Sequence, residues 1–330
     1  MTILKCPKCE CNFEGFVPER CNCGFQMLVI NGVYQFTDDA PISTESDGLQ
    51  WLGYECVGEN YEPAYFHDKA SDTIGDSDNL ANFLGEGKVV LDIGAGLGGH
   101  SISFALSGLK VIAADISQTM LESAVERAKR HNADGIIFAR MNGYKLALAD
   151  NSIDAVLELD MLQQVDRPDL VINEIKRVLK PDGFLLQYYG AIRELSYTKA
   201  QEADNTKYNA ALKDIQTYYD TQIQESGYKS NLFSSWEQAG NSIKENFVPV
   251  KTIANTGMYK ADNRKWPLKW GLHKLKTRAS GAKSLMSKEI HDTAWAKTHA
   301  YAIDTYGEGY EEIYRWFNQE SGIVVMTMQK

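Results

Sequence analysis

No stretch of the 330 residues is long and apolar enough to span a bilayer, and no basic-plus-apolar leader opens the chain. The expected location is therefore the cytoplasm. Positive charge is scarce as well: 34 lysines and arginines face 44 aspartates and glutamates, for a net charge of −10. That balance argues against a general nucleic-acid binder, although a local basic patch stays compatible with it. Internal repeats and low-complexity tracts are missing. The histidines His273, His291 and His299 lack metal-ligand spacing and read as packing or surface residues. Length alone suggests about two domains, with ample chain for a large core.

Cysteine is nearly absent beyond residue 23, where only Cys56 occurs, and it reads as a buried free thiol. The other five crowd into CPKCECNFEGFVPERCNCG, residues 6–24. A reducing cytosol disfavours disulfides, so such crowding points to a metal. Cys6 and Cys9 form one C-x-x-C knuckle; Cys21 and Cys23, followed by Gly24, form a tighter one, and Cys11 is an alternative ligand. Four thiolates on two turns predict a closed tetrahedral zinc site, structural because no position is left open for chemistry.

What the chain does contain is a strand–turn–helix stretch at residues 88–116, KVVLDIGAGLGGHSISFALSGLKVIAADI. An apolar strand carries the single charge Asp92, then breaks into glycines that open a helix. In a parallel sheet the crevice at the strand ends is where ligands sit, and glycines let the backbone approach them. A second apolar strand ends at Asp115, placed to accept from a ribose diol. Gly94, Gly96 and Gly99 also satisfy the dinucleotide pattern G-x-G-x-x-G, so a NAD-linked oxidoreductase is one alternative. Asp92 argues the other way, since a carboxylate beneath the loop repels a pyrophosphate and suits a ligand bearing an ammonium and a sulfonium.

The run Leu91–Gly99, LDIGAGLGG, resembles the first motif of the class I S-adenosylmethionine (SAM) dependent methyltransferases, and the resemblance extends over residues 88–190. Arg177–Leu185, RVLKPDGFL, is similar to the run in which that family closes a helix, turns and enters its fifth strand. The implied fold is α/β: a Rossmann-like, seven-stranded mixed sheet, preceded by a small zinc ribbon whose pattern Gly32 and Phe36 continue. The implied organisation is a ribbon at 1–36, a linker and lid helices at 37–80, the cofactor core at 81–190, and a C-terminal part at 191–330 with a helical insertion at about 260–310.

The same resemblance implies a SAM site of Asp92, Gly94, Ala95, Gly96, Asp115, Ile116, Met120, Asn142, Gly143 and Leu159. The Gly94–Gly96 backbone would hold the methionine part and Asp115 the ribose. Asn142 stands where the family usually has an acid, and its amide oxygen is able to accept from the adenine amine without charge. The helix expected at 118–131 takes Ser117 as its N-cap. Asp160 follows strand four and faces the crevice by position; it is the candidate proton acceptor, with capping of the following turn as the alternative. No histidine stands near Gln164, and neither N-P-P-Y nor a P-C pair occurs at this strand end, which disfavours two kinds of nucleobase methylation.

Tyr61 and Tyr65 fall where related enzymes place a lid, and aromatic faces attract a sulfonium. Packing explains such aromatics equally well. Residues 264–288 hold eight lysines or arginines and no acid, interleaved with tryptophan and leucine. Trp270, Arg278 and Ser280 resemble a W…R-x-S arrangement in a methyltransferase subgroup. Tyr61, Tyr65, Gln164, Trp270 and Arg278 are the candidate lid and acceptor contacts. A basic lid on an anionic substrate, nucleic acid or lipid is one reading of this segment, and a solvated face over inward tryptophans is the other. Methyl transfer to an O or N atom of a small, anionic acceptor is the expected activity. RNA methylation and a non-catalytic SAM-binding scaffold are the alternatives.

Overall fold

The computed structural model describes residues 3–37, 74–194, 197–229, 236–254, 264–277, 283, 286–317 and 319–329. Tyr61, Tyr65, Cys56, Arg278 and Ser280 lie outside them.

The central strands are β3 (Val89–Ile93), β4 (Lys110–Asp115), β5 (Ile136–Arg140), β6 (Ile153–Glu158), β7 (Leu179–Glu194), β8 (Phe247–Ala254) and β11 (Gln319–Met328). They align in the order β5-β4-β3-β6-β7-β11-β8. The first five are mutually parallel, and β11 runs antiparallel to β7 and β8. Every residue of β3 and β6 is buried, as expected of parallel strands covered on both faces. One face packs Leu91, Ile93, Ile112 and Val156 against helix α4 (Pro168–Val178) and α6 (Trp236–Asn246). The other packs Val90, Val111 and Ala113 against α1 (Asp78–Leu84), α2 (Gly99–Leu106) and α3 (Gln118–Arg130).

The expected seven strands are present, and two more join them. β1 (Val29–Ile30) and β2 (Val33–Gln35) form a hairpin whose second strand pairs parallel with β5, Tyr34 opposite Ala139 and Gln35 opposite Arg140. The sheet therefore has nine strands, and the N-terminal segment is built into it. Sequence periodicity misses this because a three-residue strand leaves no period of its own. A second difference concerns RVLKPDGFL, expected to turn after the helix. β7 instead starts at Leu179 directly after α4 and runs through Gly183, where a side chain would sit 3.0 Å from Lys180 O.

The helical layer comprises α5 (Lys199–Glu225), α7 (Leu268–Lys276) and α8 (Lys288–Tyr306), with a two-stranded sheet of β9 (Arg264–Pro267) and β10 (Tyr314–Phe317). Its core joins Tyr208, Ala211 and Ile215 of α5 to Leu268, Leu272 and Ala302. Asp214 accepts from Tyr301 Oη and Tyr306 Oη at 2.8 and 2.9 Å, tying α5 to the end of α8. The layer thus draws on α5, which precedes strand six, as well as on the expected 260–310 region. The chain enters and leaves it at the carboxyl ends of β7 and β8 and the amino end of β11. Those ends lie on one edge of the sheet, the edge that also carries the glycine turn. Among the described residues no helix is long and apolar enough to cross a membrane.

Candidate functional site

Three turns meet at the carboxyl ends of the parallel strands. The first follows β3. Gly94, Gly96 and Gly98 have φ of +75°, +51° and +68°, a left-handed succession that side chains disfavour. The Gly94 and Ala95 N–H groups donate to Ala114 O at 2.8 and 3.0 Å, which fastens the turn to β4. Asp92 lies beneath it, 4% exposed, and accepts from Ser101 Oγ at 2.6 Å. Burial pushes its carboxyl up to about 6; the Ser101 hydroxyl opposes that rise and the charge of Asp115 adds to it.

Asp115 ends β4 and ties two parts of the site together. Its Oδ2 accepts the Gly96 N–H at 2.8 Å and its Oδ1 the Ser117 N–H at 2.9 Å. Ser117 caps α3 as expected, its hydroxyl accepting from Met120 N at 3.2 Å, so Met120 is buried in the first turn beside half-buried Ile116. Under the turn, Arg127 is fully buried and donates to Leu97 O at 3.3 Å. Burial, and then the Arg127 charge, hold His100 down at about 4.

The second turn follows β5. Asn142 is 8% exposed, and its amide oxygen already accepts the Tyr144 N–H at 2.9 Å. An amide oxygen has two lone pairs, so a second donor still fits. Tyr144 in turn donates its hydroxyl to Asp166.

The third turn follows β6, and here the roles differ from expectation. The carboxylate that caps this turn is Glu158, 3% exposed: Oε1 accepts from Met161 N and Leu162 N, each at 3.0 Å. Asp160 is thereby released from the capping alternative. It is exposed, with φ +58°, a conformation aspartate tolerates better than most residues. Desolvation by its neighbours, and then the Glu158 charge, raise its carboxyl. Leu159 and Gln164 are half-buried on either side. Met161 lies across all three turns: a Cβ on Gly94 would come within 2.7 Å of Met161 Cβ, and one on Gly143 within 3.5 Å of its Cε.

Sequence reasoning missed Glu158, Met161 and Ser101. An acid at the end of the apolar strand IDAVLE was the available signal for Glu158, weaker than the one that marked Asp92 because Asp154 shares the strand. Neither Met161 nor Ser101 carries a local signal.

The cysteines converge as expected. Sγ atoms of Cys6, Cys9, Cys21 and Cys23 all lie within 4.8 Å of one another, with Cys6–Cys23 at 3.8 Å and Cys9–Cys21 at 3.5 Å. A tetrahedron with Zn–S bonds of about 2.3 Å has S···S edges of about 3.8 Å, so the set fits zinc. Cys11 is exposed and outside the cluster, which removes it as a ligand.

Trp270 is not brought to the turns by any described contact; its ring packs edge-on against Trp266 at 4.9 Å. Among the described residues, four of the eight cations of 264–288 meet acids: Lys269 pairs with Glu312 at 2.9 Å, Lys276 with Glu311 at 3.8 Å, Lys283 with Asp220 and Lys288 with Asp292. The segment reads as basic in sequence because its acids come from elsewhere, so a uniformly basic lid is not what forms. His291 and His299 bond Tyr219 Oη and Tyr310 Oη at 2.7 and 2.8 Å, as packing residues.

Residues 91–187 match the family model for a methyltransferase domain. Over 97 residues the chain is 39% identical to a demethylmenaquinone methyltransferase of Clavibacter sepedonicus, covering 29% of this chain and 39% of that protein. Over 106 residues it is 31% identical to phosphoethanolamine N-methyltransferase 2 of Caenorhabditis elegans, covering 32% and 24%. The solved structure of the Haemonchus contortus phosphoethanolamine N-methyltransferase 2 with phosphomonomethylethanolamine and S-adenosylhomocysteine aligns over 88% of this chain and 61% of that one, at 19% identity and a TM-score of 0.44. The chain spans less than half the length of the curated relatives it matches. The match falls on the three turns and the strands that carry them, and it sets the dinucleotide alternative aside. Residues 91–187 of this chain thus match a methyltransferase domain and fold as a Rossmann-like parallel sheet.

Proposed function

We propose that this protein transfers the methyl group of SAM to an O or N atom of a small-molecule acceptor. The observation that carries the donor half is the pair of carboxylates under the glycine turn. Asp92 is buried there, and Asp115 already takes the Gly96 N–H that a pyrophosphate would need. This pair of acids suits a ligand with an ammonium and a sulfonium. Bound there, SAM supplies an electrophilic methyl on sulfur. Asp92 balances the ammonium, the Gly94–Gly96 backbone seats the methionine part, and Asp115 accepts from the ribose. Asn142 and Gly143 border the adenine, with Ile116, Met120 and Leu159 as apolar walls. Alignment supplies most of the acceleration, and Asp160, at the rim with a raised carboxyl, takes the acceptor's proton where one must leave.

The helical layer is the acceptor-binding part in this reading, because its connections to β7, β8 and β11 leave from the edge that carries the turns. Zinc, held by Cys6, Cys9, Cys21 and Cys23, closes the N-terminal knuckles and is structural. Calorimetry with S-adenosylhomocysteine (SAH), followed by incubation with methyl-labelled SAM and either total RNA or a small-molecule extract, tests the proposal. Label in the extract is expected. Nuclease-sensitive label would overturn the acceptor class, and binding without transfer to either would leave a scaffold.

A further inference from the structure

The N-terminal segment does more than precede the methyltransferase domain; it grips one particular part of it. Leu4 bridges Leu148, Lys5 N donates to Ala147 O at 2.8 Å, and Ala149 N donates to Ile3 O at 2.8 Å. Lys145 reaches Glu10 at 2.9 Å. These contacts all fall on residues 145–149, the continuation of the turn that carries Asn142 and Gly143. The hairpin holds the same turn from its other end: β2 pairs with β5 up to Arg140, and Phe36 N donates to Arg140 O at 3.0 Å. It also reaches the start of α3, where Gln35 Nε2 donates to Gln118 Oε1 at 2.8 Å and Asn31 Nδ2 to Glu122 Oε1 at 3.0 Å.

The thiol cluster lies within this grip. Cys6 directly follows Lys5, and Cys6 N donates to Cys11 O at 2.8 Å while Phe13 N donates to Leu4 O at 2.8 Å. The first knuckle and the strand that bonds Ala147 are thus one ladder. Cys6, Phe13 and Cys21 share a single apolar cluster with Met141, Leu146, Leu148 and Ile93. A small metal-held unit orders its backbone only when loaded, so order at the cysteines passes to residues 145–149 through bonds of the main chain.

We infer that the four-cysteine centre is a positioning element for the adenosyl side of the donor site, so that metal occupancy sets donor affinity. This rests on the donor site proposed above. Arg177 and Glu174 hold the opposite flank of the same loop: Arg177 donates to Leu148 O and Leu146 O at 2.7 and 3.0 Å, and Leu146 N donates to Glu174 Oε2 at 2.7 Å. Those bonds keep the loop attached to α4 when the metal is lost, so what loosens is the side of the loop that faces the cysteines, and the sheet stays intact. The coupling expected between such sites is about five- to a hundredfold in affinity.

The test compares the zinc-loaded full chain with the same chain after chelation, using SAH calorimetry and amide exchange. Expected are at least about fivefold weaker SAH binding, faster exchange at 145–149 and unchanged protection of β3 and β4. A second variant, Lys5→Pro, removes the N–H that reaches Ala147 and leaves the thiols untouched. It is expected to keep its zinc and still bind SAH more weakly. Equal affinity with and without metal, or in a zinc-retaining Lys5→Pro protein, overturns the inference, as does exchange that rises across the whole sheet. If the loaded chain binds no SAH, the donor assignment fails, and exchange at 145–149 alone decides whether the metal holds the loop.

Discussion

The amide of Gln187 donates to Oε2 of Glu158 at 2.6 Å, and the same nitrogen reaches Glu158 O at 3.0 Å. With Oε1 taking Met161 N and Leu162 N, the buried carboxylate accepts from both sides and presents donors to none. Glu158→Gln forces an amide N–H to face either Gln187 or the Met161 turn. A loss of about 1–3 kcal/mol in urea unfolding is expected. Adding Gln187→Glu restores an acceptor opposite that amide and should recover part of the loss. A double variant no better than the single would remove Gln187 from the account.

Asp92 predicts two opposite pH trends. Its folded value of about 6 lies above the ordinary carboxylate value, so burial penalises the charged form. The stability it contributes is complete below about pH 4 and is lost as pH rises through about 6, amounting to roughly 3 kcal/mol. Asp92→Asn should therefore melt higher than the parent at pH 7 and alike at pH 3.5. SAH affinity should behave the other way, rising in the parent as Asp92 ionises and staying low and flat in the variant. Thermal melts and calorimetry across pH 4–7.5 check both.

Asp160→Asn separates chemistry from binding. The exposed side chain has no described bond partner, so stability should change by less than about 0.5 kcal/mol. With an acceptor that must lose a proton, kcat is expected to fall about a hundredfold at unchanged SAH affinity. An unaltered kcat would leave alignment as the whole of catalysis.

Metal analysis should find one zinc per chain. Cys9→Ser is expected to lose it and Cys11→Ser to keep it, since Cys11 stands outside the cluster. Retention by the Cys9 variant would reassign the centre.

Much of the proposed donor site is legible in the residues themselves. Asp92, the glycine turn, Ser117 and Asp115 are local signals: a charge or a glycine interrupting an apolar run, a capping hydroxyl before a helix. Which acid caps the β6 turn is not legible, because Glu158 and Asp160 look alike in sequence; Glu158 is the last, buried residue of the strand, and Asp160 lies past its end, exposed and at φ +58°. The pairing of β2 with β5, the neutralisation of four lysines in 264–288 and the recruitment of α5 to the helical layer depend on partners far along the chain. No window on the sequence contains both halves of such a contact.

The N-terminal hairpin also has a colloidal consequence. Without it, β5 would be the outermost strand, and Ile136–Arg140 would offer a row of unpaired amides and carbonyls to any passing chain. β1, only two residues long, gives a much poorer template for such stacking. A chain shortened to begin after residue 37 should self-associate in light scattering, and an added charge such as Ile136→Lys should bring it back into solution.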